Sequence, residues 1–257
     1  MHDLFNTATF SITCKRDNNE DSIFPTKDDN SPLKNLFVVC DGVGGSSKGE
    51  VASRLICTEL NNFFVANNIT FSNFEVIQSA VKFVVAQFDR YIKNHNEAHG
   101  MASTMTLLHL HENGATVAHI GDSRVYLFRE GKIIFRTKDH SLVQELFDLG
   151  EITIEQMKVH PQRNAITRAV QVINKRTIKA DVSIIRNLQV GDIFFMCTDG
   201  VLESCSEDSL MEFFKTLNPV DDIAHTIRMK CAHHSNDNSS AYLVQVNELF
   251  IDIMNKN

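Results

Sequence analysis

Apolar positions change period several times along the chain, and each change predicts an element. After Ser47, apolar residues recur at Val51, Ala52, Leu55, Ile56, Leu60, Phe63 and Phe64, the spacing of an amphipathic helix that Ser47 and Glu50 open as a capping box. A second capping box, Ser72 with Glu75, opens another helix that places Val76, Ile77, Ala80, Val81, Val84, Val85, Phe88, Tyr91 and Ile92 on one face. From Thr104 to Arg136 the pattern becomes alternation broken by turns at Glu112-Asn113-Gly114, Gly121-Asp122-Ser123 and Arg129-Glu130-Gly131, which predicts an antiparallel meander. Short helices follow over residues 142–149, closed by Gly150, and residues 154–157, opened by Thr153 with Gln156. Strands are expected near residues 178–184 and 192–198, helices near 209–217 and 221–230, and a last strand over 241–246. Strands fill the centre, with helices grouped before and after. That order predicts an α+β fold: a central sandwich of two antiparallel β-sheets with helices on both outer faces (αββα).

Three apolar runs stop at an aspartate beside a glycine. They are Leu36 to Cys40 before Asp41-Gly42, Val117 to Ile120 before Gly121-Asp122, and Ile193 to Thr198 before Asp199-Gly200. Short runs of this kind read as buried strands, so their ends bring several carboxylates to one rim of a sheet. Like charges near a protein surface repel by about 4 kcal/mol at ~4 Å, which calls for a retained proton or a bound cation. An all-oxygen donor set suits hard ions such as Mg2+ or Mn2+.

Composition narrows the class. The chain has 257 residues, 43% of them hydrophobic and 22% charged, enough for one large domain with a sizeable core. A formal charge of -7 with no Lys/Arg block argues against a nucleic-acid partner. No apolar run approaches membrane-spanning length and the N-terminus carries no secretory leader pattern, so no membrane partner and a cytoplasmic location are expected. The six cysteines lack C-x-x-C spacing and read as buried thiols. His109, His111 and His119, on alternating strand positions, and the pair His233-His234 fit neither H-E-x-x-H nor a Cys-paired zinc pattern and read as structural.

Taken singly, the acidic motifs have ordinary readings. Asp-Gly after a strand is a turn signal, and Arg16 amid Asp17, Glu20 and Asp21 is a charged loop. Their joint order is what carries information. Arg16-x-x-x-Glu20-Asp21-Ser22, Val39-Cys40-Asp41-Gly42-Val43-Gly44-Gly45, Gly121-Asp122-Ser123-Arg124, Cys197-Thr198-Asp199-Gly200 and Asp237-Asn238 follow one another with the spacing of the metal-dependent serine/threonine phosphatases. The chain thus resembles the PPM, or type 2C, family. His160-Pro161-Gln162-Arg163-Asn164 through Thr167-Arg168-Ala169 is similar to its bacterial, single-domain branch, and the resemblance spans about residues 16–246.

The resemblance implies hydrolysis of phosphoserine and phosphothreonine in proteins by a metal-activated water, opposing a serine/threonine kinase, in a monomer formed by one domain over residues 1–257. It implies two tight Mg2+ or Mn2+ ions and a third, weaker one. Asp41 would bridge the pair, the Gly42 carbonyl, Asp199 and Asp237 would complete the ligands, and Glu20 would hold water beside them. Asp122 would bind the third ion, and Arg16 would grip the phosphate, for which its planar fork is suited. Arg16, Glu20 and Asp41 are therefore the expected catalytic residues. Residues 139–171 correspond to a variable flap that shapes substrate choice. Val43 stands where many eukaryotic members carry a proton-donating histidine, which implies a variant mechanism. Met101-Ala102-Ser103-Thr104 replaces a usual Gly-Thr-Thr and is expected to touch no ligand. Two alternatives remain: an inactive phosphoprotein-binding module of the same fold, and a two-metal hydrolase of small phosphorylated molecules.

Overall fold

Strand β3 shows why the central runs are apolar throughout. Its residues Leu36, Val38 and Cys40 pack toward helices, while Phe37 and Val39 point into the space between two sheets. A strand with both faces covered needs apolar side chains at every position. The same holds for Ile193–Cys197, where Phe195 and Cys197 meet helices and Phe194 and Met196 meet the opposite sheet.

The computed structural model describes residues 4–26, 28–43, 48–173 and 178–249. In chain order its strands are β1 (Phe5–Ile12), β2 (Asp21–Phe24), β3 (Leu36–Val43), β4 (Ala102–Ser103), β5 (Met105–His111) and β6 (Gly114–Ile120). They continue as β7 (Arg124–Arg129), β8 (Lys132–Arg136), β9 (Asp181–Ile185), β10 (Ile193–Cys197) and β11 (Ser239–Val246). Helices α1 (Gly49–Ala66) and α2 (Phe74–Asn94) precede β4, and α3 (Leu142–Asp148) and α4 (Ile154–Val159) lie between β8 and β9. Helices α5 (Asp199–Ser204), α6 (Glu207–Thr216) and α7 (Val220–His234) separate β10 from β11.

One sheet has the order β1-β11-β10-β7-β8 and the other β2-β3-β5-β6-β9, with β4 on β3; all pairings are antiparallel. Helices α1 and α2 cover the second sheet, with Ile56, Leu60, Phe64, Val81 and Phe88 buried against it. Helices α5 to α7 cover the first, through Val201, Leu210, Phe214, Ile223 and Ile227. This is the expected αββα sandwich. No helix among the described residues is long and apolar enough to cross a membrane.

Several local expectations change. The predicted meander splits: β5 pairs with β6 and β7 with β8, but β6 and β7 lie in different sheets. Gly121-Asp122-Ser123 is therefore a crossing between sheets and not a hairpin turn. Helix α1 has Lys48 at its N-cap, at φ 55, and Ser47 lies outside the described residues. Helix α2 is capped by Asn73, whose side chain accepts from the Val76 N–H, because Ser72 is drawn off to His109 Nδ1 at 2.9 Å. The capping box of Thr153 with Gln156 forms as predicted. Strand β1, which the alternation did not single out, and the short helix α5 are additions.

Candidate metal centre

The acidic residues converge at one end of the sandwich because five separate segments terminate there. Asp41 lies near the end of β3, directly opposite Asp21 in the pairing of β2 with β3. The Gly42 N–H donates to the Glu20 carbonyl at 3.1 Å, and Ser53 Oγ donates to the same oxygen at 2.6 Å. This approach is so close that a Cβ at Gly42 would lie 2.6 Å from the Glu20 carbonyl oxygen, and one at Gly49 would lie 2.8 Å from Glu20 Oε2. Only glycine fits such a cradle.

From the first sheet come Asp199, which opens α5 after β10, and Asp237, just before β11. A side chain at Gly200 would collide with the Asn238 carbonyl, so the two segments are pressed together. Asn238 then ties them to the loop between β1 and β2. Its Oδ1 accepts from the Glu20 N–H at 2.8 Å, and its Nδ2 donates to the carbonyls of Asn18 at 2.8 Å and Thr13 at 3.1 Å. Arg16 Nη2 donates to Asp237 Oδ2 at 2.8 Å. Asp122, on the crossing between β6 and β7, is buried.

These carboxyl groups hold their protons unusually firmly. Burial pushes Asp21 up to about 7 and Asp122 up to about 8, and repulsion from Asp199 adds to both. Asp41 is raised well above the carboxylate range by desolvation and then by Asp21, Asp199 and Asp122; Asp199 is raised by desolvation and Asp237. Glu20 rises through desolvation and the nearby Glu50. Thus Asp41, Asp122, Asp199, Asp237 and Asp21 share one electrostatic neighbourhood. Asp21 Oδ1 and Asp199 Oδ1 are buried without a hydrogen-bond partner. Orphaned buried oxygens in an all-oxygen set fit a hard divalent cation, which would relieve both the repulsion and the missing bonds.

His119, His140 and Asp181 bring three donor atoms within 4.8 Å of one another, a His/His/Asp group consistent in composition with a divalent-metal site. Some of its atoms are already engaged, although His140 Nε2 is itself buried without a hydrogen-bond partner. His140 Nδ1 accepts from the Gly121 N–H at 3.1 Å, which leaves the proton of the neutral ring on Nε2, 3.2 Å from Asp181 Oδ2. His119 Nε2 bonds the Lys138 carbonyl, the two rings stack at 4.5 Å and 15°, and Arg168 already pairs with Asp181.

Asp21 was not among the sequence candidates. Beside Glu20 it looks like part of a solvated loop; only the register opposite Asp41 buries it. The expectation that residues 101–104 touch no ligand is overturned: Asp41 donates its N–H to Thr104 Oγ1 at 2.9 Å, and its carbonyl accepts from the Thr104 N–H and Ser103 Oγ at 2.8 Å each.

Comparison with known proteins gives the family. Residues 14–230 match the family model described as Protein phosphatase 2C. A protein phosphatase 2C-type protein of Streptococcus pyogenes serotype M6 is 34% identical over 203 residues, covering 77% of this chain and 78% of that protein. The serine/threonine phosphatase stp of Listeria monocytogenes serotype 4b is 29% identical over 251 residues, 95% of this chain and 96% of its own. The crystal structure of the Mycobacterium tuberculosis serine/threonine phosphatase PstP/Ppp superposes with a TM-score of 0.82 at 27% identity, covering 95% of this chain and 99% of that one. The catalytic domain of PstP in complex with two manganese ions gives 0.78 at 26% identity, with 95% and 99% covered. On motif order, sheet topology and a family match over most of its length, this chain belongs to the protein phosphatase 2C family of metal-dependent serine/threonine phosphatases.

Proposed function

We infer that the chain removes phosphate from phosphoserine and phosphothreonine in protein substrates, opposing a serine/threonine kinase in the cytoplasm, as a monomer whose single domain spans residues 1–257. The observation that carries this reading is the pair of orphaned buried oxygens, on Asp21 and Asp199, inside a cluster of mutually repelling carboxyl groups beside an arginine. In this reading Asp41, the Gly42 carbonyl, Asp199 and Asp237 would hold two Mg2+ or Mn2+ ions. Glu20 would orient water at the cluster, and Asp122 with Asp199 would hold a third, weaker ion. Such ions supply a water of lowered pKa and a clamp for in-line displacement at phosphorus.

The chain's own residues orient the phosphate. The Arg16 side chain is 59% exposed and spends one N–H on Asp237, so the rest of its fork is available to phosphate oxygens at the mouth of the cluster. That same bond fixes Asp237. Helices α3 and α4 sit in the flap at residues 139–171 and expose Leu149, Ile154 and Val159, an apolar surface suited to a protein substrate. An inactive binding module would not need so many unsatisfied carboxyl oxygens, and we set it second.

The test is release of phosphate from a phosphothreonine peptide with millimolar Mn2+ and with excess EDTA. Activity is expected only with the metal. Full turnover in the chelator would end this reading.

A further inference from the structure

Asp41 and Asp122 sit on different segments, and the crossing that carries Asp122 has no ladder bonds from β6 to β7 to hold it. Something else must set their spacing. Thr104 stands at the single-residue gap between β4 and β5 and is 2% exposed. Its Oγ1 accepts the Asp41 N–H at 2.9 Å and lies 2.7 Å from Ser123 Oγ, which is also buried. Its methyl side abuts Gly121, where a Cβ would lie 2.6 Å from Thr104 Cγ2 and where φ is +103. One side chain therefore touches the residue before Asp122, the residue after it, and the backbone of Asp41.

We propose that Thr104 is the positioning residue that fixes Asp122 relative to Asp41 and thereby sets the affinity of the weakly held ion; this rests on the reading of Asp122 as a ligand given above. A hydroxyl oxygen can accept one bond and exchange another at once. Valine fills nearly the same volume but offers neither, leaving the Asp41 N–H and the Ser123 hydroxyl without their partner. Serine keeps both bonds and gives up only the methyl. Ser123→Ala cuts the arm to the crossing and leaves the arm to Asp41.

The experiment uses the full chain as wild type, Thr104→Val, Thr104→Ser, Ser123→Ala and Asp122→Ala, with melting curves to establish that each is folded. Amide hydrogen exchange at Asp41 is followed in metal-free protein, and Mn2+ binding by calorimetry. Thr104→Val is expected to speed exchange at Asp41 and to weaken the low-affinity Mn2+ phase about 10- to 100-fold, the range for partners that orient metal ligands, with the count of tight ions unchanged. Thr104→Ser should restore both readouts. Ser123→Ala should weaken the low-affinity phase while Asp41 stays protected. If Thr104→Val fails to fold, the serine and alanine variants carry the test. A low-affinity phase within twofold of wild type in Thr104→Val and Ser123→Ala, while Asp122→Ala abolishes it, overturns the role of Thr104 and spares that of Asp122. Retention of the phase in Asp122→Ala overturns both.

Discussion

Asp21 faces Asp41 across one rung of the β2–β3 pairing, so two carboxyl groups share a single site in the sheet. Asp21 is pushed up to about 7 and Asp122 to about 8, so the folded, metal-free chain holds protons that an unfolded chain releases near the ordinary carboxylate value of ~3.9. The stability supported by those protons is complete below about pH 4 and is lost as pH rises through about 7 to 8, by up to about 1.4 kcal/mol per pH unit for each group. Asp21→Asn, which stays neutral, should flatten this dependence in EDTA and leave the metal-free protein more stable than wild type at pH 8. Parallel melting-temperature profiles for the two proteins would refute the assignment.

Arg16 and Asp41 should fail differently. Asp41→Asn removes the expected bridging ligand and should abolish turnover together with tight Mn2+ binding. Arg16→Ala should keep the metals and lose roughly 10- to 100-fold in kcat/KM, corresponding to about 1.5–3 kcal/mol for a charge-assisted bond. Calorimetry separates the two outcomes, and loss of metal from Arg16→Ala would reassign it as a support for Asp237.

Arg124 is the most heavily engaged cation among the described residues. It donates to both Asp139 oxygens at 2.7 Å, to the Tyr126 hydroxyl at 2.9 Å and to Glu207 at 3.3 Å, tying β7 to the start of the flap and to α6. Arg124→Met leaves Asp139, 13% exposed, without its partner and should cost about 3–5 kcal/mol in denaturant unfolding. The double variant with Asp139→Leu should recover much of that loss.

His109 supplies an opposite pH dependence. It lies fully buried between Phe64 and Ser72, and burial, then the neighbouring His111, lowers it to about 3. The folded state keeps the ring neutral, while an unfolded imidazole takes up a proton below about pH 6.5. Stability from this group is therefore full above that pH and falls toward pH 3, by about 1.4 kcal/mol per unit. His109→Gln should remove this slope between pH 6 and 4 as measured by urea unfolding; an unchanged slope counts against it.

Val43 pairs with Ala102 at the end of β3 and can neither give nor take a proton. With no acid there, kcat should fall steeply as the leaving-group pKa rises across a series of aryl phosphates, and Val43→His should lessen that dependence. A flat series with chemistry rate-limiting would show that another residue protonates the leaving oxygen.

Much of this was legible in the order of residues. The runs at Leu36–Val43 and Ile193–Cys197 announced buried strands because both of their faces are covered, and α1 and α2 announced themselves through one apolar face each. What stayed hidden was tertiary. Alternation is a local property, so it could not tell that the chain changes sheets at Gly121-Asp122-Ser123. Adjacent Ser72 and Asn73 are equally good caps until His109 claims one of them. Asp21 and Thr104 gained their places only from partners 20 and 63 positions away, Asp41 in both cases. The ligand roles expected of the acidic residues came from likeness to a family, since an aspartate at a strand end is by itself a turn signal.

The last strand in sequence is an inner strand in space: β11 lies between β1 and β10, with Asp237 and Asn238 directly before it. During synthesis, Arg16, Asp41, Asp122 and Asp199 leave the ribosome well before the strand that joins the two halves of that sheet. Until it arrives, β1 and β10 have no neighbour between them, and the loop bearing Glu20 lacks the asparagine that anchors it. Domains fold as units during translation. Closure of this sheet is accordingly a late event: a product of premature termination before residue 237 carries most of the motifs but lacks both the strand that joins β1 to β10 and the asparagine that anchors Glu20.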